Sequence, residues 1–378
     1  PGMKIAPNSQ YELTLMDSEG VIASSCCYPP VCAVGNAGAF RSPKRPKLDE
    51  TKSNAILVFH ALSGDQFVTG TNKITGKEGW WNSVVGPNLP IDTNKYFIIC
   101  ANVIGGCMGS LGPKNINPDT KKPYGLDFPV ITIKDMVKAQ ESLLEHLGIK
   151  KLLCATGGSM GGMQLLQFCA TFPDKAFSAV PIACSSSHSA QNIALNELAR
   201  QAIMADPVWD NGKYVLKNVQ PKNGLAVARM VGHISYLSEK GMQEKFGRKL
   251  QEKADYEFSF NADFQVESYL RHQGYAFVER FDANSILYIT RAMDYFDLSK
   301  QYKGGLVEAF KNQDTKFLVI SFSSDWLYTT KENKDIVIAL NASGADVSYS
   351  EIVTDKGHDS FLLNETEFLK TLKGFIDS

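Results

Sequence analysis

The 378-residue chain lacks several features that define other classes of protein. It has no apolar run approaching the roughly 20 residues that a membrane-spanning helix needs. Lysine and arginine number 39 against 40 aspartates and glutamates, so the net charge of −1 predicts no basic surface for nucleic acid. The chain contains no repeat and no low-complexity tract. Its length suits one large domain or two ordinary ones, and we expect it to bind neither membranes nor nucleic acid.

Metal-binding patterns are also missing. The eight cysteines, and the histidines His60, His146, His188, His233 and His272, do not pair at the spacings of metal sites. Most cysteines lie in apolar segments, so reduced thiols in a cytoplasmic protein are the simplest interpretation. The polar N-terminus predicts no signal peptide, and Pro1-Gly2 before Met3 resembles a tag remnant. We expect no metal and no bound cofactor.

A glycine-rich turn around Ser159 is the most informative feature that is present. Residues 151–156 form a short apolar run typical of a buried strand, and residues 163–170 have the pattern of a helix. Between them stands Gly157-Gly-Ser-Met-Gly-Gly162. A serine between small residues at a strand-to-helix turn is the nucleophile elbow of the α/β-hydrolase fold. The amide of Met160, at the helix N-terminus, is positioned to stabilise an oxyanion.

An acid and a base follow in the chain order that this fold requires. The predicted strand 316–322 ends just before Asp325, and the predicted strand 347–353 is followed by His358. In such a triad the histidine takes the proton from the serine, and the aspartate fixes the tautomer of the histidine. The order Ser159, Asp325, His358 therefore predicts a catalytic triad.

The remaining pattern predicts the domain organisation. Strands are also indicated at 54–60, 96–102 and 179–184, and a helix at 133–147, so strands and helices alternate. This alternation predicts a mostly parallel central sheet with helices on both faces. From about 187 to 297 helical segments dominate, and we interpret this stretch as a helical lid. The predicted domains are therefore a core of residues 1–186 and 298–378 and an inserted lid of residues 187–297.

Several segments resemble the homoserine O-acetyltransferase family of the α/β-hydrolase type. The matching segments, which run from about Asn54 to the C-terminus, are His60-Ala-Leu-Ser-Gly-Asp65, Trp80-Trp81-Asn82, residues 102–113, residues 123–129, Gly157-Gly-Ser-Met-Gly-Gly-Met-Gln164, residues 224–238 and Gly357-His-Asp359. The resemblance implies acetyl transfer from acetyl-CoA to the hydroxyl of L-homoserine, in methionine biosynthesis. It also implies a homodimer, with the lid helices at or near the interface.

The resemblance assigns further residues of the site. Leu62 lies in the loop after the predicted strand that ends at His60. This position and the resemblance imply that the backbone amide of Leu62 is the second oxyanion donor. Ser63 is close enough in sequence to line the same pocket. Arg229 and Tyr236 share one face of a predicted helix, and both are implied to contact homoserine. A guanidinium suits the homoserine carboxylate. Asp359 is implied to bind its ammonium group.

Other functions stay open from the sequence alone. An esterase or deacetylase would use the same triad, with water in place of an amino-acid acceptor. L-Serine is one methylene shorter than homoserine, a difference worth only about 1–3 kcal/mol of discrimination. A catalytically dead binding module would need a broken triad, and all three residues are intact.

The acyl donor is predicted from Leu327. In relatives that transfer succinyl groups, an arginine commonly stands two residues beyond the catalytic aspartate. Here that position holds Leu327, which has no charge to pair with a buried carboxylate. Acetyl-CoA is therefore the expected donor, although Leu327 could equally pack beneath the Asp325 loop.

The N-terminal region departs from the family pattern. Relatives have a strand-rich hairpin there that ends in a Tyr-Glu-Thr-Tyr-Gly-like stretch. This chain instead has Cys26-Cys-Tyr-Pro-Pro-Val-Cys32, followed by the basic segment 41–47.

Overall fold

The computed structural model describes three N-terminal strands by their backbone, and residues 48–72 and 75–378 in full. The strands in chain order are β1 (Tyr11–Asp17), β2 (Gly20–Cys27), β3 (Val34–Asn36), β4 (Ala55–Phe59), β5 (Val85–Gly86), β6 (Ile91–Asp92), β7 (Phe97–Ala101), β8 (Leu152–Gly158), β9 (Ala176–Ile182), β10 (Lys316–Phe322) and β11 (Val347–Ile352). The α-helices are α1 (Ile133–His146), α2 (Met160–Thr171), α3 (Ala190–Met204), α4 (Lys222–Tyr236), α5 (Glu239–Lys245), α6 (Gln265–Val278), α7 (Ala283–Asp294), α8 (Gly305–Ala309), α9 (Thr330–Ser343) and α10 (Thr366–Ile376).

Nine strands form one sheet in the order β11-β10-β9-β8-β4-β7-β3-β1-β2. The six strands from β11 to β7 are all parallel to their neighbours, whereas β3 pairs antiparallel with β7 and β1 pairs antiparallel with β2. The predicted mostly parallel sheet is therefore confirmed. The N-terminal region contributes β1, β2 and β3 to this sheet, while Cys32 and the basic segment 41–47 lie outside the described residues.

The parallel strands are buried on both faces, as is typical of strands that have helices on either side. In β4, Leu57 and Phe59 face the cluster that contains residues of α1, α2 and α9. The alternate residues Ile56 and Val58 face a second cluster, to which α10 contributes. This alternation explains why the strand sequence is a continuous apolar run.

The helical segment predicted as a lid lies between β9 and β10. Its helices α3, α4, α6 and α7 pack against one another. An isolated antiparallel bridge between Ser187 and Asp297 joins the two ends of this insertion. Local signals set the helix starts, since the side chains of Ser189 before α3 and Asp282 before α7 accept hydrogen bonds from backbone amides of the first turn.

Candidate active site

Ser159 lies in a strained turn between β8 and α2. Its φ of 61° and ψ of −126° are values that a residue with a side chain rarely adopts. The surrounding glycines make the turn possible, because a Cβ on Gly161 would lie 2.1 Å from the carbonyl oxygen of Phe59. A Cβ on Gly157 would lie 2.8 Å from the same oxygen. Close packing of β8, α2 and β4 therefore holds the serine at the end of the sheet.

The loop after β4 lies beside this turn and is fixed from three sides. The His60 ring accepts a hydrogen bond from the Val103 amide at its Nε2, at 3.1 Å. The side chain of Gln164 donates to the carbonyl of His60 at 3.0 Å, and Arg280 donates to the carbonyl of Ser63. Burial lowers the pKa of His60 to about 4, so this histidine is neutral and structural.

The two predicted oxyanion donors belong to Leu62, which lines the cavity with Ser159, and to Met160, which directly follows the serine. The amide of Met160 belongs to the first residue of α2, where helix amides have no partner within the helix. Leu62, Ser63 and Ser159 all line one cavity beneath the helical insertion. Leu62 therefore shares a cavity with Ser159 and Met160 adjoins the serine in the chain, and the role of their amides as oxyanion donors stays a prediction.

Asp325 and His358 are paired at the ends of β10 and β11. Oδ2 of Asp325 is 2.8 Å from Nδ1 of His358, and both side chains are almost fully buried. Oδ1 of Asp325 accepts hydrogen bonds from the amides of Leu327 and Tyr328, both at 2.9 Å. The carboxylate is therefore fixed, and it sets the tautomer of the imidazole with hydrogen on Nδ1. Among the described residues no hydrogen bond joins Ser159 to His358.

Electrostatics around His358 favour its protonated form. Burial by itself lowers its pKa, but the charge and hydrogen bond of Asp325, with the charge of Asp359, outweigh burial and raise it above the ordinary value. The ring is surrounded by the aromatic rings of Tyr236, Tyr328 and Phe361. A histidine in this setting can accept a proton and stabilise the resulting charge.

The residue before His358 connects it to the insertion. Gly357 has a φ of 77°, and a Cβ there would lie 2.4 Å from the backbone nitrogen of Ser238, just beyond α4. The turn after His358 is held by Trp81, whose Nε1 donates to the carbonyl of Phe361 at 2.8 Å. Two motifs noted in the sequence therefore meet here, because Gly357-His-Asp359 contains the histidine and Trp81 holds the turn that follows it.

Arg229 and Tyr236 lie on one face of α4, toward the cavity. The guanidinium of Arg229 stacks over the rings of Phe277 and Tyr236, at 4.8 and 5.6 Å. The Tyr236 ring centroid is 6.0 Å from that of His358. Both residues line the cavity that contains Ser159, as their spacing on a helix predicts.

Asp359 is a carboxylate without a close cation. Among the described residues it makes no hydrogen bond and no ion pair. Burial raises its pKa, while the positive charges of His358, Arg229 and Lys245 act to lower it. It is not among the side chains that line the cavity with Ser159, and its role as the partner of an ammonium group stays a prediction.

The chain matches the family model for the α/β-hydrolase fold over residues 54–365. The homoserine O-acetyltransferase of Pelagibacter ubique (strain HTCC1062) is 66% identical over 329 residues, which is 87% of this chain and 88% of that protein. The enzyme of the same name from Rhodospirillum rubrum is 60% identical over 331 residues, or 88% of this chain and 85% of that protein. The chain belongs to the homoserine O-acetyltransferase family.

Solved structures agree with this family and also include a protein named as an esterase. The crystal structure of homoserine O-acetyltransferase from Bacillus anthracis superimposes with a TM-score of 0.81 at 27% identity, covering 88% of this chain and 91% of that one. The structure of esterase E22 superimposes with a TM-score of 0.79 at 27% identity, covering 97% and 99%. The fold of this family therefore also occurs in a protein named as an esterase.

The structure adds cavity residues that the sequence did not predict. His188 and Tyr328 line the cavity and contact each other. Asn192 lines it as well, and its side chain donates to the carbonyl of Leu327 at 2.9 Å. No local motif marks His188 or Asn192, because the packing of the insertion on the Asp325 loop brings them there. Only Tyr328 could have been predicted as a cavity residue from the sequence, because it follows Asp325 by three positions.

Leu327 lies in the cavity wall and is 9% exposed.

In the described part of the chain, no group of three or more His, Cys, Asp or Glu side chains could hold a metal ion. Cys100, Cys107, Cys154, Cys169 and Cys184 are free thiols. No described helix has the length and apolar character needed to cross a membrane.

Proposed function

We propose that the protein transfers the acetyl group of acetyl-CoA to the hydroxyl of L-homoserine. Its relatives are named homoserine O-acetyltransferase. The observation that carries this proposal is a pair of opposite charges around the triad. Arg229 lines the cavity that contains Ser159, and Asp359 directly follows His358. The charge of Arg229 acts on Asp359, but the two side chains form no ion pair. An amino acid is a zwitterion, and it would satisfy both charges at once.

In the first half of the proposed reaction, Ser159 attacks the thioester carbonyl. His358 takes the proton from the serine hydroxyl, and Asp325 stabilises the imidazolium. The amides of Met160 and Leu62 stabilise the oxyanion. The carbon–sulfur bond then breaks, and His358 returns the proton to the sulfur of CoA.

In the second half, homoserine resolves the acetyl-serine. Arg229, with Tyr236 beside it, binds the carboxylate, and Asp359 binds the ammonium group. His358 takes the proton from the homoserine hydroxyl, which attacks the ester carbonyl, and then returns it to Ser159. These steps need the side chains of the triad and no metal or bound cofactor. Ser63, which lines the cavity near Leu62, contacts the bound substrates.

Residues 187–297 act as a lid in this proposal, and residues 1–186 and 298–378 form the catalytic core. Residues of α3, α4 and α7 line the cavity above Ser159. Such a cover limits the access of water to the acyl-enzyme, which favours transfer over hydrolysis. Leu327 in the cavity wall favours a small neutral acyl group.

An esterase is the second candidate, because esterase E22 superimposes over nearly the whole chain. The decisive experiment is to measure thiol release from acetyl-CoA with homoserine, with serine and with neither. Rapid release only with homoserine supports the proposal. Equal release without an acceptor would assign the protein as a hydrolase, and preference for serine would change the acceptor.

We further propose a cytoplasmic homodimer that forms through the lid. Val227 and Ile234 lie seven positions apart on α4 and are each 44% exposed. Exposed apolar residues at this spacing form a stripe that a second copy of the chain could cover. The mass in solution, measured by light scattering for wild type and Ile234→Glu, tests this assignment.

A further inference from the structure

A buried chain of polar contacts connects the insertion to the loop that carries Asp325. His188, just before α3, has its Nδ1 3.1 Å from Oδ1 of Asp294 in α7. Its Nε2 is 2.9 Å from the hydroxyl of Tyr328. Nη1 of Arg200 is 2.7 Å from Oδ2 of Asp294. None of these four side chains is more than 4% exposed, so water does not compete for the contacts.

The positions of the protons follow from the partners. Burial raises the pKa of Asp294, but His188, Asn196 and Arg200 together lower it below its usual value, so the carboxylate is ionised and accepts. Burial raises the pKa of Tyr328 well above its ordinary value, so the hydroxyl keeps its proton and donates. His188 therefore donates from Nδ1 to Asp294 and accepts at Nε2 from Tyr328. Both nitrogens of His188, the Tyr328 hydroxyl and Oδ1 of Asp294 therefore have hydrogen-bond partners of the correct kind, and Oδ2 of Asp294 is neutralised by its ion pair with Arg200.

Tyr328 contacts both members of the acid–base pair. Its amide donates to Oδ1 of Asp325 at 2.9 Å. Its ring centroid lies 5.2 Å from that of His358. A displacement of Tyr328 would therefore disturb the carboxylate and the imidazole together. The His188 contact is the only hydrogen bond that the tyrosine hydroxyl makes among the described residues.

We propose that Tyr328 is a positioning residue for Asp325 and His358, and that the His188–Asp294–Arg200 chain of the insertion fixes its orientation. This inference rests on the proposed role of the triad in acyl transfer. Tyr328 acts through His358, so its effect is expected on the rate of the chemical step. A catalytic group displaced by about 1 Å can lose on the order of 10²-fold in rate.

The first test is Tyr328→Phe, which keeps the ring and the backbone amide and removes the hydroxyl. We expect kcat to fall by roughly 10- to 100-fold. The KM values for acetyl-CoA and homoserine should stay within about twofold of wild type, because His358 acts in both proposed half-reactions and the variant leaves the groups proposed to bind the substrates in place. The matched control is Tyr302→Phe, which removes a hydroxyl that donates to the Ala170 carbonyl at 2.7 Å, at the far end of α2. The control should keep the wild-type kcat.

The second test separates the two nitrogens of His188. In His188→Asn the amide takes the place of Nδ1 and can still reach Asp294, but it does not reach Tyr328. In His188→Gln the amide takes the place of Nε2 and can accept from the tyrosine hydroxyl. We expect the asparagine variant to match Tyr328→Phe and the glutamine variant to recover most of kcat. The double variant Tyr328→Phe/His188→Asn should be no slower than either single variant.

Wild-type kcat in both Tyr328→Phe and His188→Asn would overturn the inference. Equal losses in the asparagine and glutamine variants, with equally lowered melting temperatures, would assign His188 to general packing and also overturn it. If Tyr328→Phe does not fold, the two His188 variants carry the test. Activity retained by Ser159→Ala would instead overturn the proposed function, so the two failures are distinguishable.

Discussion

The sheet and the helical insertion contribute to the site in different ways. Ser159, Asp325 and His358 follow the ends of the parallel strands β8, β10 and β11, so all three lie at the carboxyl edge of the sheet. Arg229 and Tyr236 come from α4, and the packing of the insertion on the core brings them to the same cavity. In the proposed mechanism the sheet therefore positions the triad and Asp359, and the insertion supplies Arg229 and Tyr236 for the acceptor.

The largest effect is expected from the sheet side. Ser159→Ala removes the nucleophile, and acyl transfer should fall on the order of 10⁴-fold or more, because triad members act as a unit. Steady-state thiol release from acetyl-CoA with homoserine measures it. Ser178→Ala is a matched control, since this serine of β9 hydrogen-bonds to the Leu153 carbonyl away from the cavity. Activity near that of wild type in a folded Ser159→Ala protein would contradict the triad assignment.

A smaller and more selective effect is expected from the acceptor residues. Arg229→Ala and Asp359→Asn each remove one charged partner of homoserine, and kcat/KM for homoserine should fall by about 10²-fold. The burst of CoA release on mixing with acetyl-CoA should survive better, because the first half-reaction does not need those charges. Arg291→Ala, a cation on α7 that stacks on Tyr295, is the control.

Loss of the burst with unchanged use of homoserine would contradict the assignment of Arg229 and Asp359 to the acceptor. In that case Arg229 or Asp359 would act on the first half-reaction, and the acceptor site would lie elsewhere. A parallel loss in both half-reactions, with a lowered melting temperature, would indicate a folding defect.

This division also explains what the sequence could predict. Parallel strands converge at their carboxyl ends, so a serine, an aspartate and a histidine that follow predicted strands could be placed together without coordinates. The face of α4 that carries Arg229 and Tyr236 followed from helical spacing and the family resemblance. His188 and Asp294 lie far apart in sequence, and only the folding of α3 against α7 brings them together. The sequence analysis therefore missed the chain that reaches Tyr328.

The pH dependence of acylation tests how strongly Asp325 and Asp359 raise the pKa of His358. Asp325 and Asp359 both raise its pKa against the opposing effect of burial. Because the neutral imidazole acts as the base, the acylation rate should fall as pH drops through this raised pKa. Asp359→Asn removes one negative charge, so the acidic limb of the profile should shift to lower pH.

The measurement is the pre-steady-state acylation rate with acetyl-CoA across the pH range, since that half-reaction does not involve homoserine. Tyr236 and Tyr328, which also face the ring, have raised pKa values and do not ionise in this range. Asp355→Asn is the matched control, because this carboxylate pairs with Lys240. Equal shifts in both variants would show a general charge effect and contradict the specific role of Asp359.

The smallest effect is expected from a change in acyl donor at Leu327. This side chain lines the cavity with Ser159, while its amide donates to Asp325. Leu327→Arg introduces a cation that could pair with the terminal carboxylate of a succinyl group. We expect the wild type to prefer acetyl-CoA and the arginine variant to gain a low but measurable rate with succinyl-CoA. Leu327→Gln controls for polarity without charge, and melting temperatures report the cost of burying the guanidinium.

Preference of the wild type for succinyl-CoA would contradict the donor assignment. If the arginine variant folds and gains nothing, the acetyl preference arises elsewhere in the cavity, and Leu327 only packs beneath the Asp325 loop.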